Sequence, residues 1–341
     1  MKGPDTHMEG TNHQNADYLL QLSCGYWKSQ ALFTAVEFDI FTIINQGKLT
    51  AKEISQAIRA NERATEMLLN ALVSLDLLTK LEGYYTNSSL SNCYLIKGNP
   101  FYLGDFIHHF HNMTDTWAML RETIETGDPV TLKDLPEEVD PHDLRDFITA
   151  MHNMASVKAE ELCSKIDLQG ATTLLDIAGG PGTYAIALAK ANPRLRAVVF
   201  DLEHTIKLTR EFIAAAQIED RVTTQAGNCL EDTFGKNVYD AILVSNLLHI
   251  YNPANNALIL KKCRDALKNC GQIVIHEFVL DETRTHPQFA ALFSLNMLIG
   301  TQEGASYSET EYRAWLTNAG FEDIKRIDLN SNSTLILGRK P

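Results

Sequence analysis

The sequence predicts an α/β fold in two parts, a mainly helical amino-terminal domain and a carboxyl-terminal domain built on a parallel sheet. Strand and helix patterns alternate from residue 172 onward, which is typical of a parallel sheet covered by helices. Residues from about 17 to 100 instead carry apolar residues at helical spacing. A chain of 341 residues has room for two domains of this kind.

The amino-terminal pattern predicts helices followed by a hairpin. An apolar helix pair is expected over residues 19–44, and Thr50-x-x-Glu53 is a capping box that opens a further helix. Asn61 suits the amino-terminal cap of the next helix. Two short strand patterns at 77–86 complete the order of elements found in a winged helix.

The charge of this domain argues against nucleic acid as a partner. A DNA-reading helix is expected to be basic, but the corresponding helix carries one base, Arg63, between Glu62 and Glu66. Residues 1–100 contain eight Lys and Arg against ten Asp and Glu, and the whole chain has a formal net charge of −13. Phosphate backbones and anionic membranes repel such a protein. We therefore expect this domain to serve protein interaction or dimerisation.

A glycine-rich turn in the second domain indicates a small-molecule site. An apolar run containing Asp176 predicts a buried strand, and the turn that follows it contains Gly179, Gly180 and Gly182. The turn fits the Gly-x-Gly-x-x-Ala form of a dinucleotide fingerprint, so NAD is one candidate. However, Pro181 removes a backbone N–H that a phosphate would use, and Asp176 adds negative charge. These features favour a cationic cofactor, S-adenosylmethionine.

The next two predicted strands end in residues that suit the same cofactor. Arg196–Asp201 predicts a strand whose last residue, Asp201, suits the two hydroxyls of a ribose. Gln225–Cys229 ends a third strand, where Asn228 suits an adenine edge. Because the carboxyl ends of parallel strands lie at one edge of a sheet, these residues are expected near the glycine turn.

Two later strands carry the candidate catalytic residues. Tyr239–His249 predicts a fourth strand that runs into His249, and Gly271–Glu277 predicts a fifth that ends in Glu277. Histidine titrates near neutral pH, so His249 is the candidate general base for a hydroxyl proton. A nearby carboxylate such as Glu277 would fix the tautomer of the imidazole and raise its basicity.

The remaining features of the composition narrow the possible functions and locations of the protein. Residues 101–165 are helical by pattern and rich in aromatic, His and Met residues, which suits the lining of an apolar pocket. The acid and histidines between residues 105 and 111 match no metal-site spacing, so no metal is predicted. Six scattered cysteines without a C-x-x-C pair, and the lack of a signal-peptide or membrane-spanning pattern, favour the cytoplasm.

From about residue 17 onward, the chain resembles the class I S-adenosylmethionine-dependent O-methyltransferases of the caffeate and acetylserotonin type. These enzymes are common in plants and in bacterial secondary metabolism. The matching stretches are Gly25–Phe41, Leu49–Thr86, Leu175–Gly182, Phe200-Asp201, Asp240–His249, Ile275–Leu280, Leu295–Leu298 and Glu311–Phe321.

The sequence pattern and the resemblance together predict four segments, and the resemblance implies an intertwined homodimer. After an unstructured stretch at 1–16, a winged-helix-like dimerisation domain is expected at 17–100 and a helical linker that also lines the substrate pocket at 101–165. A Rossmann-like methyltransferase domain is expected at 166–341.

The resemblance also implies roles for individual residues. It implies cofactor contacts from Gly179, Asp201, Asn228, Cys229 and Ser245, beside Asp176, Gly180 and Gly182 of the turn. It implies that His249 is the general base and that Glu277 is its neighbour. The residues implied near the acceptor are Met151, Asn153, Met154, Asn296 and Met297.

The chain departs from the family pattern at four places. Three of these are His249-Ile250-Tyr251 where the family has His-Asp-Trp, Asn228 where it has aspartate, and Ser245 where lysine is common. A second glutamate that flanks the histidine in the family falls at about Ser306. Tyr307, as a substrate-binding residue, or Tyr251 is the candidate to polarise the acceptor in its place.

The predicted activity is transfer of a methyl group from S-adenosylmethionine to a hydroxyl of a small aromatic or polycyclic acceptor, leaving S-adenosylhomocysteine. Three alternatives stay open: a C- or N-methyltransferase, a non-methylating enzyme that binds the same cofactor, and an interaction protein. The expected partners are the acceptor and a second copy of the chain, not nucleic acid or a membrane.

Overall fold

The computed structural model describes residues 8–130, 140–330 and 332–341. The chain divides into two compact units, residues 1–111 and 112–341. Residues 131–139 of the predicted pocket segment, and residues 1–7 of the segment predicted to be unstructured, lie outside the described residues. Within the described ranges, no helix has both the length and the apolar character needed to cross a membrane.

The first unit is mainly helical and contains one small antiparallel sheet. Its helices are α1 (Met8–Ser23), α2 (Tyr26–Glu37), α3 (Ile40–Ile44), α4 (Ala51–Ala57), α5 (Glu62–Ser74), α6 (Ser89–Tyr94) and α7 (Gly104–Asn112). Its strands are β1 (Leu49–Thr50), β2 (Leu78–Leu81) and β3 (Tyr84–Asn87), which lie in the order β1-β3-β2.

The predicted helix start signals and the hairpin are confirmed. The Glu53 N–H donates to the Thr50 hydroxyl while the Glu53 carboxylate accepts the Thr50 N–H, and Asn61 accepts the Ala64 N–H. The apolar helix pair expected over residues 19–44 is instead three helices, because Asp39 adopts a left-handed backbone with φ of 56° between the last two.

The first two helices also depart from expectation in extent and exposure. Helix α1 begins at Met8, so it includes residues that the sequence predicts to be unstructured. Several large apolar side chains of α1 and α2 are between 59% and 66% exposed, namely Tyr18, Leu19, Leu20, Leu22, Tyr26 and Trp27. An exposed apolar surface of this kind is typical of a face that a partner covers.

The second unit is an α/β domain. Its helices are α8 (Thr114–Ala118), α9 (Leu120–Thr126), α10 (Pro141–Lys165), α11 (Thr183–Ala191), α12 (Glu203–Ala215), α13 (Pro253–Ala266), α14 (Gln288–Gly300) and α15 (Glu309–Asn318), with a 3-10 turn at Leu248–Ile250. Its strands are β4 (Thr173–Ile177), β5 (Arg196–Asp201), β6 (Val222–Ala226), β7 (Tyr239–Ser245), β8 (Leu267–Glu277), β9 (Glu322–Asp328) and β10 (Thr334–Arg339).

These strands form one twisted sheet in the order β6-β5-β4-β7-β8-β10-β9, in which β10 alone runs antiparallel to its neighbours. The sheet has a hydrophobic core on each of its two faces, and alternate residues of a strand pack into different cores. Leu175 and Ile177 of β4 pack with α13 and α15, whereas Leu174 packs with α10 and α11. The chain winds outward in both directions from β4 and β7. In open sheets of this kind, ligands bind in a crevice at the carboxyl ends of the two strands where the order reverses.

At the opposite edge of the sheet, the carboxylate of Asp240 joins β7 to β4. Its Oδ2 accepts hydrogen bonds from the N–H and hydroxyl groups of Thr172 and Thr173 at 2.8–3.0 Å, and its Oδ1 lies 2.9 Å from Lys268 Nζ. Although burial raises the pKa of Asp240, the Lys268 ammonium and these donors lower it well below its usual value.

We predict that Asp240→Asn lowers the free energy of unfolding by about 1–3 kcal/mol near pH 7, since an amide has one acceptor oxygen and no charge. Because the pKa is lowered in the folded state, this stabilisation is present above about pH 4 and is lost as the pH falls. Urea denaturation near pH 7 and about pH 3 measures both effects. The exposed Asp323→Asn is the control, and equal stability of Asp240→Asn and wild type near pH 7 would contradict the prediction.

Candidate active site

The glycine turn after β4 brings main-chain atoms to the crevice. Gly180 and Gly182 have positive φ of 53° and 72°, which favours glycine, and a Cβ at Gly179 would lie 2.7 Å from the Asp176 carboxylate. A Cβ at Gly180 would meet nothing closer than 3.9 Å, so this residue has open space beside it. The hydroxyl of Thr209 donates to the Gly180 carbonyl at 2.6 Å and fixes the turn.

Asp176 is a buried acid whose oxygens form no hydrogen bond of usual geometry among the described residues, although the Ala185 N–H lies close enough to lower its pKa in part. It is 1% exposed, and burial together with the negative charge of Asp201 raises its pKa to about 7. Asn246, which follows β7, has an equally buried and unpartnered side-chain oxygen. Buried oxygens of this kind suit a ligand that carries a donor group with positive charge.

Asp201 ends β5 beside the same turn. Its two oxygens accept the backbone N–H groups of Gly180 at 2.8 Å and Leu202 at 2.7 Å. Burial raises the pKa of Asp201, and these two N–H groups lower it in part. A carboxylate has about four acceptor positions, so Asp201 retains capacity for ribose hydroxyls.

The turn after β6 contains the predicted residues Asn228 and Cys229. The Asn228 side chain is used locally, because its oxygen accepts the Leu230 N–H and its amide donates to Glu231. Lys262 of α13 donates to the carbonyls of Cys229, Leu230 and Asp232 at 2.7–3.1 Å, which fixes the path of this turn. No sequence pattern indicates this role of Lys262.

Ser245 ends β7 and contacts a histidine that the sequence analysis did not select. Its hydroxyl lies 2.9 Å from His276 Nδ1, and His276 Nε2 lies 2.8 Å from the Ser333 hydroxyl. Burial lowers the pKa of His276 to about 3, so the imidazole is neutral near pH 7. A neutral imidazole has one donor and one acceptor nitrogen, which fits contacts with two hydroxyls.

The structure brings His249 and Glu277 into direct contact. His249 Nδ1 lies 2.7 Å from Glu277 Oε2, and Glu277 Oε1 accepts the backbone N–H groups of Leu248 at 2.8 Å and His249 at 3.4 Å. Glu277 is fully buried and His249 is 7% exposed. An Nδ1–H donated to the carboxylate leaves the lone pair on Nε2, where it can accept a proton.

The turn that carries His249 is fixed by local contacts. Asn246 has a left-handed backbone with φ of 52°, which turns the chain away from β7. Asn256 of α13 donates to the carbonyls of Leu248 and Tyr251 at 2.9 and 3.1 Å, so it closes the 3-10 turn. The imidazole is therefore presented at the carboxyl edge of the sheet by a closed turn.

Three phenylalanines form an aromatic cluster beside His249. The ring centre of Phe278 lies 4.9 Å from that of Phe289 and 4.7 Å from that of Phe293. The ring centre of Phe293 lies 4.9 Å from that of the His249 imidazole. Phe278 directly follows Glu277, and the other two lie one turn apart in α14. Sequence reasoning missed these residues, although their place after the last predicted strand was a usable signal.

The residues implied near the acceptor lie on two helices. Met151, Asn153 and Met154 are partly buried in α10, and Asn296 and Met297 lie in α14 one turn after Phe293. The Trp117 indole donates to the Asn296 side-chain oxygen at 3.0 Å. Phe293 therefore links the α14 residues to His249.

The Tyr307 side chain contacts other parts of the domain. The Tyr307 hydroxyl donates to the Tyr251 carbonyl, and the ring packs against Tyr312 and Trp315 in the core. Ser306, at the position of the second family glutamate, donates its hydroxyl to the Ala290 carbonyl at 2.9 Å. The Tyr307 hydroxyl proton is therefore donated to the main chain in this structure, and the role of Tyr307 toward the acceptor stays a prediction.

The order of the seven strands with β10 reversed, together with the glycine turn, defines the class I methyltransferase fold. The O-methyltransferase domain family matches residues 135–322, and the O-methyltransferase dimerisation domain family matches residues 20–97. The chain belongs to this O-methyltransferase family and is an S-adenosylmethionine-dependent methyltransferase.

Relatives and solved structures agree with this assignment. The 3-hydroxy-5-methyl-1-naphthoate 3-O-methyltransferase of Streptomyces sahachiroi is 32% identical, over 91% of this chain and 90% of the relative. The N,N-dimethyltransferase OxyT of Streptomyces rimosus is 30% identical, over 95% and 96%. Human N-acetylserotonin methyltransferase in complex with S-adenosylmethionine matches with a TM-score of 0.87 and 25% identity, over 100% and 99%. The NAD alternative is therefore wrong, and so are the non-methylating alternatives.

Proposed function

We propose that the protein methylates a hydroxyl group of a small aromatic or polycyclic acceptor, with His249 as the general base. The observation that carries this proposal is the buried contact between His249 and Glu277 at the carboxyl edge of the sheet. The family membership and the name of the Streptomyces sahachiroi relative, which acts on a hydroxyl of a naphthoate, support the acceptor class.

The residues around the glycine turn fit the cofactor. Asp176 and the Asn246 oxygen are buried and unpartnered, which suits the cationic amino-acid end, and Asp201 suits the ribose hydroxyls. The open space at Gly180 allows close approach of a ligand to the main chain. When bound, S-adenosylmethionine supplies an electrophilic methyl group on a positively charged sulfur.

His249 and Glu277 act on the acceptor. A phenolic hydroxyl has a pKa of about 10, so it is mostly protonated near pH 7 and a base increases its reactivity. Nε2 of His249 takes this proton, and the buried Glu277 carboxylate stabilises the imidazolium that forms. The aromatic cluster of Phe278, Phe289 and Phe293 excludes water from this side and stacks on the acceptor ring.

We also propose a homodimer. The first unit contains the dimerisation domain of the family, and the exposed apolar residues of α1 and α2 suit burial by a second copy of the chain. Burying these side chains in a dimer would remove their apolar surface from water, which is favourable.

We predict that the purified protein transfers a methyl group from S-adenosylmethionine to the hydroxyl oxygen of a hydroxynaphthoate. Mass spectrometry and two-dimensional NMR of the product identify the methylated atom. An O-methyl product supports the proposal. A methyl group on carbon, or transfer only to amine acceptors as the name of OxyT suggests for that relative, would refute it.

We predict that His249→Ala lowers kcat by about 10²–10⁴-fold, the usual contribution of a general base, while cofactor affinity is unchanged. Glu277→Gln should also lower kcat, because the amide carries no charge. The loss should be smaller than for His249→Ala, since the amide oxygen can still accept the Leu248 N–H. Steady-state kinetics and calorimetry measure the two quantities. The exposed His142→Ala is the matched control, and wild-type turnover by His249→Ala would rule out the base assignment.

We predict that S-adenosylmethionine binds more tightly near pH 8 than near pH 6. With a pKa of about 7, Asp176 changes from mostly protonated to mostly ionised over this interval, and only the carboxylate attracts a cation. The Kd ratio of Asp176→Asn to wild type should therefore rise by up to about 10-fold between the two pH values. Calorimetry measures this ratio, with Asp323→Asn as the control; a ratio that does not change with pH would contradict the role of Asp176.

A further inference from the structure

Lys158 of α10 is a charged residue that the proposed chemistry does not use. Its Nζ lies 5.4 Å from the centre of the Phe278 ring, and it forms no hydrogen bond or ion pair with the residues that the structure describes. Glu161, almost one turn further along α10, is the acid whose charge acts on it. However, a Glu161 oxygen accepts the Asn330 N–H at 2.7 Å and does not pair with Lys158.

The environment of Lys158 is unfavourable for an isolated cation. Burial lowers the pKa of Lys158, because the ammonium has lost part of its hydration. The contact with the Phe278 ring compensates for part of this loss, but an aromatic face is a weak substitute for a carboxylate. A partly buried ammonium without a paired anion is therefore suited to bind an anionic group from outside the chain.

Lys158 lies at the edge of the proposed acceptor pocket. The ammonium contacts the ring of Phe278. The centre of this ring lies 6.4 Å from that of the His249 imidazole and 4.7 Å from that of the Phe293 ring. Met154, a residue implied near the acceptor, precedes Lys158 by four positions, so the two lie on one face of α10. The ammonium and the candidate base therefore both lie near the Phe278 ring.

We propose that Lys158 binds a carboxylate in this pocket and so selects for a hydroxylated aromatic acid as the acceptor. The inference rests on the proposed function, because it assumes that the acceptor lies against the aromatic cluster. A carboxylate is also present on the amino-acid end of S-adenosylmethionine, and the test distinguishes these two sources. With the acceptor as the source, His249 and Lys158 recognise two groups of one molecule, the hydroxyl and the carboxylate.

The test compares binding by Lys158→Met, which removes the charge, and Lys158→Arg, which keeps it. Lys165→Met, an exposed lysine at the end of the same helix, is the matched control. Two titrations by calorimetry use S-adenosylmethionine and S-adenosylhomocysteine. Two further titrations add a hydroxynaphthoate, or the naphthol that lacks its carboxylate, to protein saturated with S-adenosylhomocysteine, so that binding is measured without turnover.

If the acceptor supplies the carboxylate, Lys158→Met weakens hydroxynaphthoate binding by about 10- to 100-fold and leaves naphthol and cofactor binding unchanged, and Lys158→Arg retains much of the affinity. If the cofactor supplies it, Lys158→Met raises the Kd of both cofactor forms and leaves the preference for acid over naphthol unchanged. If Lys158→Met leaves all four affinities at the values of Lys165→Met, the proposal is wrong.

Two checks keep the result interpretable. The Tm of each variant shows whether it folds, and Lys158→Gln replaces Lys158→Met if the latter unfolds. Failure of the proposed function is a different result: wild-type protein that binds the acid more tightly than Lys158→Met does, but methylates neither the acid nor the naphthol, supports the carboxylate site and contradicts methylation of these hydroxyl groups.

Discussion

The buried carboxylate of Glu277 constrains the whole active edge of the sheet. An ionised acid without exposure to water costs several kcal/mol unless hydrogen bonds compensate it, and here the donors are His249 Nδ1 and the main chain of Leu248 and His249. The 3-10 turn after β7 must therefore stay close to the end of β8. Because Asn256 closes the same turn from α13, the imidazole is positioned by three elements of the domain.

The charged residues at the two edges of the sheet differ in whether the fold supplies them with hydrogen-bond or ion-pair partners. Asp240, at the amino edge, accepts four hydrogen bonds from the N–H and hydroxyl groups of two threonines, and it contacts Lys268. Its charge therefore contributes to the stability of the domain. Asp176, at the carboxyl edge, and Lys158, on α10, are partly or fully buried without such partners. Groups that the fold leaves unpaired are typical of binding sites, since a ligand of opposite charge removes the cost.

The fold class, which the structure confirms, and the candidate site residues, whose roles stay predictions, both follow from local patterns in the sequence. The strand before the glycine turn, the acids at strand ends and the capping box at Thr50 are all short-range signals, and the structure contains each of these elements. Contacts between distant segments were not predictable in this way. The bond from the Tyr307 hydroxyl to the Tyr251 carbonyl joins residues 56 positions apart. Lys158 resembles any helix lysine until Phe278 is placed beside it.

A crystal structure with S-adenosylhomocysteine and a hydroxynaphthoate bound would show whether Nε2 of His249 is placed to take the acceptor proton. The acceptor hydroxyl oxygen is expected within hydrogen-bond distance of Nε2, about 2.6–3.2 Å, while Nδ1 keeps its contact with Glu277. A well-ordered acceptor whose hydroxyl faces another side chain, with His249 Nε2 out of reach, would contradict it.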